Sequence, residues 1–371
     1  MQERCRNSSE LMETSGSPEK INLKGLTLPE LAGLVAEWDE PKYRAAQLAS
    51  WIYGKRVSNF EHMSNLPKGF RAKLMKEASV SEVRATRCTV SDADVATKYL
   101  FELASGDKVE SVLMHDQERT TICISSQVGC AMACDFCATG KMGFFRNLSA
   151  SEILDQFTAI ERDLSEDKAV TNVVFMGMGE PLANYDQTLK SARLLSDSDG
   201  YGMSEKRITI STVGLVPRMR QLAREGLKCN LALSLNATTD GVRTRLMPIN
   251  EKYPIDEALD AAKEWALATK RKATLEYVLI RDVNDTDTDA KRLRKLMSRL
   301  PCKFNLIPFN EIEDSEFRRP GLDRIERFRQ LVASAQHVAP IRFSKGHDIA
   351  AACGQLRTDF GKPGTMIRKA S

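Results

Sequence analysis

The sequence predicts an α/β fold: six consecutive strand–helix units forming a partial (β/α)6 TIM-like barrel behind a small N-terminal helical accessory domain. Three observations predict it. From residue 120 onward, short apolar runs rich in β-branched residues alternate with longer amphipathic stretches, six times over. Such alternation builds parallel sheets, and six units fall short of the eight of a full barrel. The chemically interesting residues then fall just after the strands, where α/β folds keep their sites.

In chain order, residues 1–24 are polar, lack the apolar stretch of a secretory signal and read as a disordered tail. Residues 25–85 read as helical. "TLPELAGLVAEW" offers Thr27 as N-cap and Pro29 in the first turn. "EPKYRAAQLASWIYGK" sets apolar residues at helical spacing, with Lys42, Arg44, Lys55 and Arg56 between them, and "LPKGFRAKLMKEA" is a third helix. This module reads either as a plain cap or as an RNA-contacting domain. Residues 86–119 form a β-hairpin extension with its turn at "ASGDK".

The barrel spans 120–360. Its strands are "TTICISS", "NVVFMG", "RITIST", "CNLALSL", "ATLEYVLI" and "FNLIPF", with a short final strand "IRFS". Its helices are "SASEILDQFTAIERDL", capped by Ser149 or Ser151, then "YDQTLKSARLLS", "VPRMRQLARE", "IDEALDAAKEWALAT", residues 286–300 and "LDRIERFRQLVASA". Residues 361–371 are a basic tail. No run of 18 apolar residues exists, so no membrane span is expected and the protein is placed in the cytoplasm. The net charge of +4 permits a nucleic-acid partner without requiring one. Nine cysteines in such a chain point to metal or redox chemistry rather than a disulfide framework.

Cys130, Cys134 and Cys137 are spaced C-x3-C-x2-C directly after the first barrel strand. Thiolates are soft ligands that select zinc, copper(I) or iron–sulfur clusters. Structural zinc wants four ligands, usually as two pairs. No second pair is evident, and the only histidines are His62, His115, His337 and His347. A four-iron cluster on three cysteines leaves one iron open to a small molecule. Unliganded or zinc-binding cysteines are the alternative.

With that loop in that place, the sequence resembles the radical S-adenosylmethionine (radical SAM) superfamily. The resemblance implies a partial barrel of radical SAM type, one [4Fe-4S] cluster, and S-adenosyl-L-methionine on the open iron, cleaved to a 5′-deoxyadenosyl radical. "MGMGEP" looks like the second-strand SAM element: Gly177 and Gly179 let backbone approach the ligand, and Glu180 accepts from the SAM amino group. Four stretches together, "CISSQVGCAMACDFCATG", "MGMGEPLAN", "LMPIN" and "DIAAACGQL", resemble the adenine carbon-2 RNA methyltransferases that modify 23S rRNA and tRNA.

That resemblance implies site residues. Carbon 2 of adenine is electron-poor and not a nucleophile, so ordinary methyl transfer cannot reach it. By motif position, Cys353 takes a methyl from one SAM and carries it to the base after a second SAM has supplied the radical; Cys123 then forms a disulfide with Cys353 and frees the product. Glu110 matches a proton acceptor. Gly179, Glu180, Ser211, Ser234, Leu235, Asn236 and Asn310 match SAM-binding positions. At Asn236 many relatives carry histidine, so a backbone contact from Leu235 or Asn236 is expected there. The partners implied are 23S rRNA, tRNA and an electron donor such as flavodoxin, with the protein a monomer. Lys141, Arg146, Arg243, Arg245, Arg318, Arg319 and the tail from Arg357 are RNA candidates, with Phe144 and Phe145 as stacking platforms. Cys5, Cys88, Cys229 and Cys302 read as structural. Two alternatives stand beside this reading: a carbon-8 methyltransferase of the same superfamily, whose members carry alanine where Pro181 stands, and a non-catalytic zinc-dependent RNA-binding module.

Overall fold

The computed structural model describes residues 20–93, 95–165, 167–313, 315–333 and 338–358. Cys5, His337, residues 1–19 of the expected disordered tail and all of 361–371 lie outside them. Ile21–Lys24, read as part of that tail, are instead ordered, with Leu23 and Lys24 buried in the fold. The helical module comprises β1 (Ile21–Asn22), α1 (Leu28–Glu37), α2 (Tyr43–Ala49), α3 (Lys68–Glu77) and β2 (Ala78–Ser79), its two ends joined by parallel pairing of β1 with β2. Thr27 caps α1 as the sequence predicts. Its side chain accepts from the Glu30 N–H at 3.4 Å, and Glu30 accepts from the Thr27 N–H at 2.7 Å. Leu31, Val35, Leu48, Phe70 and Leu74 of the module are buried in a core that is continuous with that of the barrel.

The extension has three antiparallel strands, β3 (Ala85–Val90), β4 (Ala96–Glu102) and β5 (Lys108–Asp116), rather than a two-stranded hairpin. The expected turn is present, with the Leu103 N–H donating to Asp107 O at 2.8 Å. β3 carries no clear signal in the sequence because it is an edge strand, half exposed on both faces, with no clean alternation.

The barrel opens with β6 (Arg119–Cys123). A loop follows that contains β7 (Gln127–Gly129), α4 (Ala138–Met142) and β8 (Phe144–Asn147), and then α5 (Ala150–Arg162). The remaining units are β9 (Asn172–Phe175), α6 (Tyr185–Ser196), β10 (Ile208–Thr212), α7 (Val216–Arg224), β11 (Asn230–Ser234), α8 (Asp240–Leu246), α9 (Ile255–Thr269), β12 (Ala273–Leu279), α10 (Asp287–Met297), β13 (Cys302–Pro308) and α11 (Leu322–Val332). One sheet runs β13-β12-β11-β10-β9-β6-β5-β4-β3. Its first six strands are parallel, and β13 remains an edge, so the barrel is open. The extension adds to the opposite side through antiparallel β5–β6 pairing.

Ser149, not Ser151, caps α5, in a capping box with Glu152. Two expectations need correction. "IRFS" makes only a single parallel bridge, Leu306 to Ile341, because Pro340 has no N–H to extend a ladder. α8 is an additional helix; its seven residues are too few to show helical periodicity in the sequence. Among the described residues no helix is long and apolar enough to cross a membrane.

Candidate active site

The cysteine loop is held by its neighbours. β7 and β8 pair as a small hairpin beneath it. Gly129 sits at φ +72°, and a Cβ there would fall 2.0 Å from Gly143 O, so only glycine fits. The Cys130 N–H donates to Gly143 O at 2.8 Å, Cys137 N–H to Cys134 O at 3.1 Å, and Asp135 N–H to Leu246 O at 3.0 Å. All three cysteines line one cavity of about 150 Å³ at the C-terminal ends of the strands. Burial pushes the Cys130 thiol up to about 12 and raises Cys134 and Cys137 as well. Thiolates here therefore need a positive partner. Among the described residues no three His, Cys, Asp or Glu side chains converge closely enough for a single ion. Three desolvated sulfurs around one cavity, not focused on one point, fit a polynuclear cluster with separate iron corners better than tetrahedral zinc.

Gly177 and Gly179 line this cavity, but the crowding that demands glycine comes from the protein itself. A Cβ on Gly177 would meet Ser125 Oγ at 2.6 Å, and one on Gly179, at φ +100°, would meet Gln127 Cβ at 2.5 Å. Glu180 is buried: one oxygen accepts from Leu182 N–H at 3.0 Å, the other from Val213 N–H at 2.9 Å. Burial nonetheless pushes its carboxyl up to about 7. Ser211, Ser234, Asn236 and Asn310 also line the cavity. Leu235 does not reach it; its N–H donates to Glu276 O at 2.9 Å and its carbonyl accepts from Arg243 Nε at 3.1 Å. Asn236, at φ +57°, turns its amide into the fold, where Oδ1 accepts from Val278 N–H at 2.9 Å. Asn310 Nδ2 donates to Ser344 Oγ at 2.9 Å and to Cys353 O at 3.0 Å.

Cys353 lies on an irregular strap, residues 344–358, that crosses the barrel mouth. The strap is pinned on three sides. Asp348 accepts from Ser91 Oγ at 2.7 Å and Asp92 N–H at 3.0 Å on the extension. Ala138 N–H donates to Gly354 O at 2.7 Å, and Thr139 Oγ1 to Leu356 O at 2.6 Å, from the cysteine loop. Gln355 Nε2 donates to Glu311 O at 2.7 Å after β13. Cys353 borders the cluster cavity and also a second one, about 360 Å³, lined by Cys123, Arg119, Arg342, Lys345, Met114 and Val174 among others. It is exposed into these spaces, yet the surrounding protein still raises its thiol, as it does that of Cys123. Both thiols are free, so a disulfide is not a standing feature of this fold; each is one wall of a space that separates them. Glu110 lies beneath the strap, outside both cavity walls. Its Oε2 accepts from Arg357 N–H at 2.9 Å, and its Oε1 pairs with Lys98 Nζ at 3.1 Å.

Several RNA candidates are engaged elsewhere. Arg243 is fully buried and bonded to backbone carbonyls, which removes it from any RNA surface. Arg146 is clamped between Asp107 at 2.5 Å and Glu152 at 2.8 Å. Arg56 ties the helical module to α5 through Glu161 at 2.9 Å. Lys141 pairs with Asp135 at 3.4 Å and Arg245 with Glu316 at 2.8 Å. Arg318 donates to Ser315 O at 2.7 Å, and Arg319 lies over the Phe343 ring at 5.3 Å. Phe144 and Phe145 remain about half exposed beside the loop. Cys88, Cys229 and Cys302 stand apart from the site. Sequence reasoning missed Glu276 and Arg342. A lone acid inside the apolar run "ATLEYVLI" was the available signal for the first; nothing local marked the second.

Comparison with known proteins fits this geometry. A family model for the radical SAM superfamily matches residues 124–293, and one for the ribosomal RNA large subunit methyltransferase N-terminal domain matches residues 21–80. The chain is 47% identical over 344 residues to the dual-specificity RNA methyltransferase RlmN of Geotalea uraniireducens, covering 93% of this chain and 98% of that protein. It is likewise 47% identical to the RlmN of Geobacter sulfurreducens, covering 91% and 92%. The crystal structure of a radical SAM methyltransferase from Sphaerobacter thermophilus superposes with a TM-score of 0.86 at 42% identity, covering 91% of this chain and 99% of that one.

Proposed function

Since the chain belongs to the RlmN family of radical SAM RNA methyltransferases, we propose that it methylates carbon 2 of an adenine in 23S rRNA and in tRNA, with Cys353 as the methyl carrier. Membership sets aside the zinc-module alternative. One observation carries the proposal: Cys353 borders both the cavity of the cysteine triplet and the cavity of Cys123. A carrier has to face the group that loads it and the thiol that releases it.

Cys130, Cys134 and Cys137 would hold the [4Fe-4S] cluster, which with SAM supplies hydrogen-atom abstraction, while a second SAM supplies the methyl. Gly179, Ser211, Ser234 and Asn310 line the space a SAM would fill. Asn310 also fixes the Cys353 backbone through its bond to Cys353 O. Cys353 acts first as a sulfur nucleophile and then as a tether to the base. Cys123 closes the cycle by attacking the Cys353 sulfur: the S–C bond to the base breaks, and its electron pair stays on the product carbon, which takes up a proton. The transient disulfide is reset by a thiol reductant, while an electron donor such as flavodoxin would feed the cluster. Pro181, in "MGMGEP", favours carbon 2 over carbon 8.

The test is Cys123→Ala, expressed in cells and run on a denaturing gel before and after ribonuclease. The expected result is a nuclease-sensitive shift that disappears when Cys353→Ala is added. Normal turnover without any adduct would overturn the release role and return Cys123 to a packing role in the strand.

A further inference from the structure

β12 carries a carboxyl in an otherwise apolar run, and the reaction proposed for Cys353 and Cys123 leaves it without a role. Glu276 is 7% exposed. Register fixes where it points. It pairs with Ser234 of β11 and with Asn305 of β13, and residues directly opposite on neighbouring strands share a face. Ser234 and Glu276 line the cluster cavity together with Cys353, while Asn305 lines the second cavity with Cys123, Arg342 and Cys353. The row therefore bridges the two spaces that Cys353 separates. Among the described residues the Glu276 side chain has one hydrogen bond, a long one of 3.4 Å from Asn305 Nδ2 to Oε1. Buried carboxylates normally accept several, so this one is left with unused acceptor capacity facing a cavity.

We propose that Glu276 is the proton acceptor for Cys353 when that thiol takes its methyl group, an inference that rests on the reading of Cys353 as methyl carrier. The step balances without an oxidant. The Cys353 S–H bond breaks and its proton passes to the Glu276 carboxylate. The sulfur lone pair forms the S–CH3 bond. The methyl–sulfonium bond breaks, leaving its pair on the departing thioether. A buried carboxylate and a sulfonium cation become a neutral acid and two neutral thioethers, so loss of charge in a poorly solvated site favours the forward direction. The protein around the cavity raises the Cys353 thiol although the residue faces open space, which makes it a weak nucleophile unaided. Burial also raises the Glu276 carboxyl, making it a better base near neutral pH. Arg342 opposes both shifts, and the Ser344 hydroxyl also opposes that of Cys353.

The experiment uses cluster-loaded protein given SAM with a deuterated methyl group, without reductant or RNA. Label on the Cys353 peptide is followed by mass spectrometry. Glu276→Gln, with iron content and SAM binding checked as unchanged, is expected to slow labelling at least tenfold, and Glu276→Asp to restore part of it. Alkylation of Cys353 by iodoacetamide in the same proteins, in alkaline buffer where hydroxide rather than Glu276 takes the thiol proton, separates a base from a bystander. Glu276→Gln removes a negative charge beside the thiol, so alkylation should hold or rise while methylation falls. Methylation and alkylation rising together would show a purely electrostatic role and overturn the proposal. Both falling together would show a positioning role and also overturn it. Equal labelling of variant and wild type would sink the base alone. An unlabelled wild-type Cys353 would instead overturn the carrier reading beneath it.

Discussion

Arg243 uses all five of its donors inside the protein. Nε donates to Leu235 O, Nη1 to Asn250 Oδ1 and Tyr253 O, and Nη2 to Val213 O and Ser234 O. The guanidinium thus joins the carbonyls that end β10 and β11, next to the residues lining the cavity. Lysine offers three donors from one point and cannot span them. Arg243→Lys should therefore cost about 3 kcal/mol or more, since each orphaned buried group is worth about 1–3 kcal/mol; urea unfolding will measure it. The sequence shows a basic residue in a basic stretch and does not show burial, which is why Arg243 reads there as an RNA contact. The triplet cysteines were legible for the opposite reason: spacing alone carries their chemistry. Glu180 allows a test by pH. Its folded value near 7 lies above the ordinary 4.5, so folding favours the protonated form. Its contribution is complete below about pH 4.5 and is lost as pH rises through about 7. Glu180→Gln in apoprotein should flatten that part of the stability curve, where each tenfold change in proton affinity on folding corresponds to about 1.4 kcal/mol.

Barrel strands such as β11 and β12 were legible as elements because they are largely buried on both faces and read as apolar runs. The strap was not. It has no periodicity, and many of its hydrogen bonds go to partners more than two hundred residues earlier, on the extension and the cysteine loop, with others to Asn310 and Glu311 after β13. Asp348 concentrates several of them, accepting from Ser91 Oγ and the Asp92 N–H. Asp348→Ala should free this end of the strap without touching the cavity wall. Hydrogen exchange at residues 345–351 should rise by tenfold or more, since bonds to a charged acceptor are worth about 1.5–3 kcal/mol. Cluster content should stay at the wild-type level, while methyl loading of Cys353 slows severalfold. Unchanged exchange would show that Asn310 and the cysteine loop suffice to fix the strap.

At the scale of the molecule, the module and the barrel are joined by a buried ion pair. Lys24 Nζ donates to Asp155 Oδ1 of α5 at 2.5 Å and to Thr158 Oγ1 at 2.8 Å. Burial pulls Lys24 down and Asp155 up, each against its partner's charge. Asp155→Asn leaves a buried ammonium uncompensated and should cost about 3–5 kcal/mol. Calorimetry should then resolve an early transition for the module ahead of the barrel. The sequence showed that two bodies exist but not how they join, because a lysine and an aspartate 131 positions apart carry no local mark. The strap adds a matter of timing. Cys353 is translated 216 residues after Cys137 (353 minus 137), which at about 5–20 residues per second is ten seconds or more. Until then the Ala138 N–H and Thr139 hydroxyl have no strap carbonyl to bind. The nascent chain thus keeps an uncovered doorway to its cysteine loop, and the last stretch of barrel wall to leave the ribosome is the one that closes it.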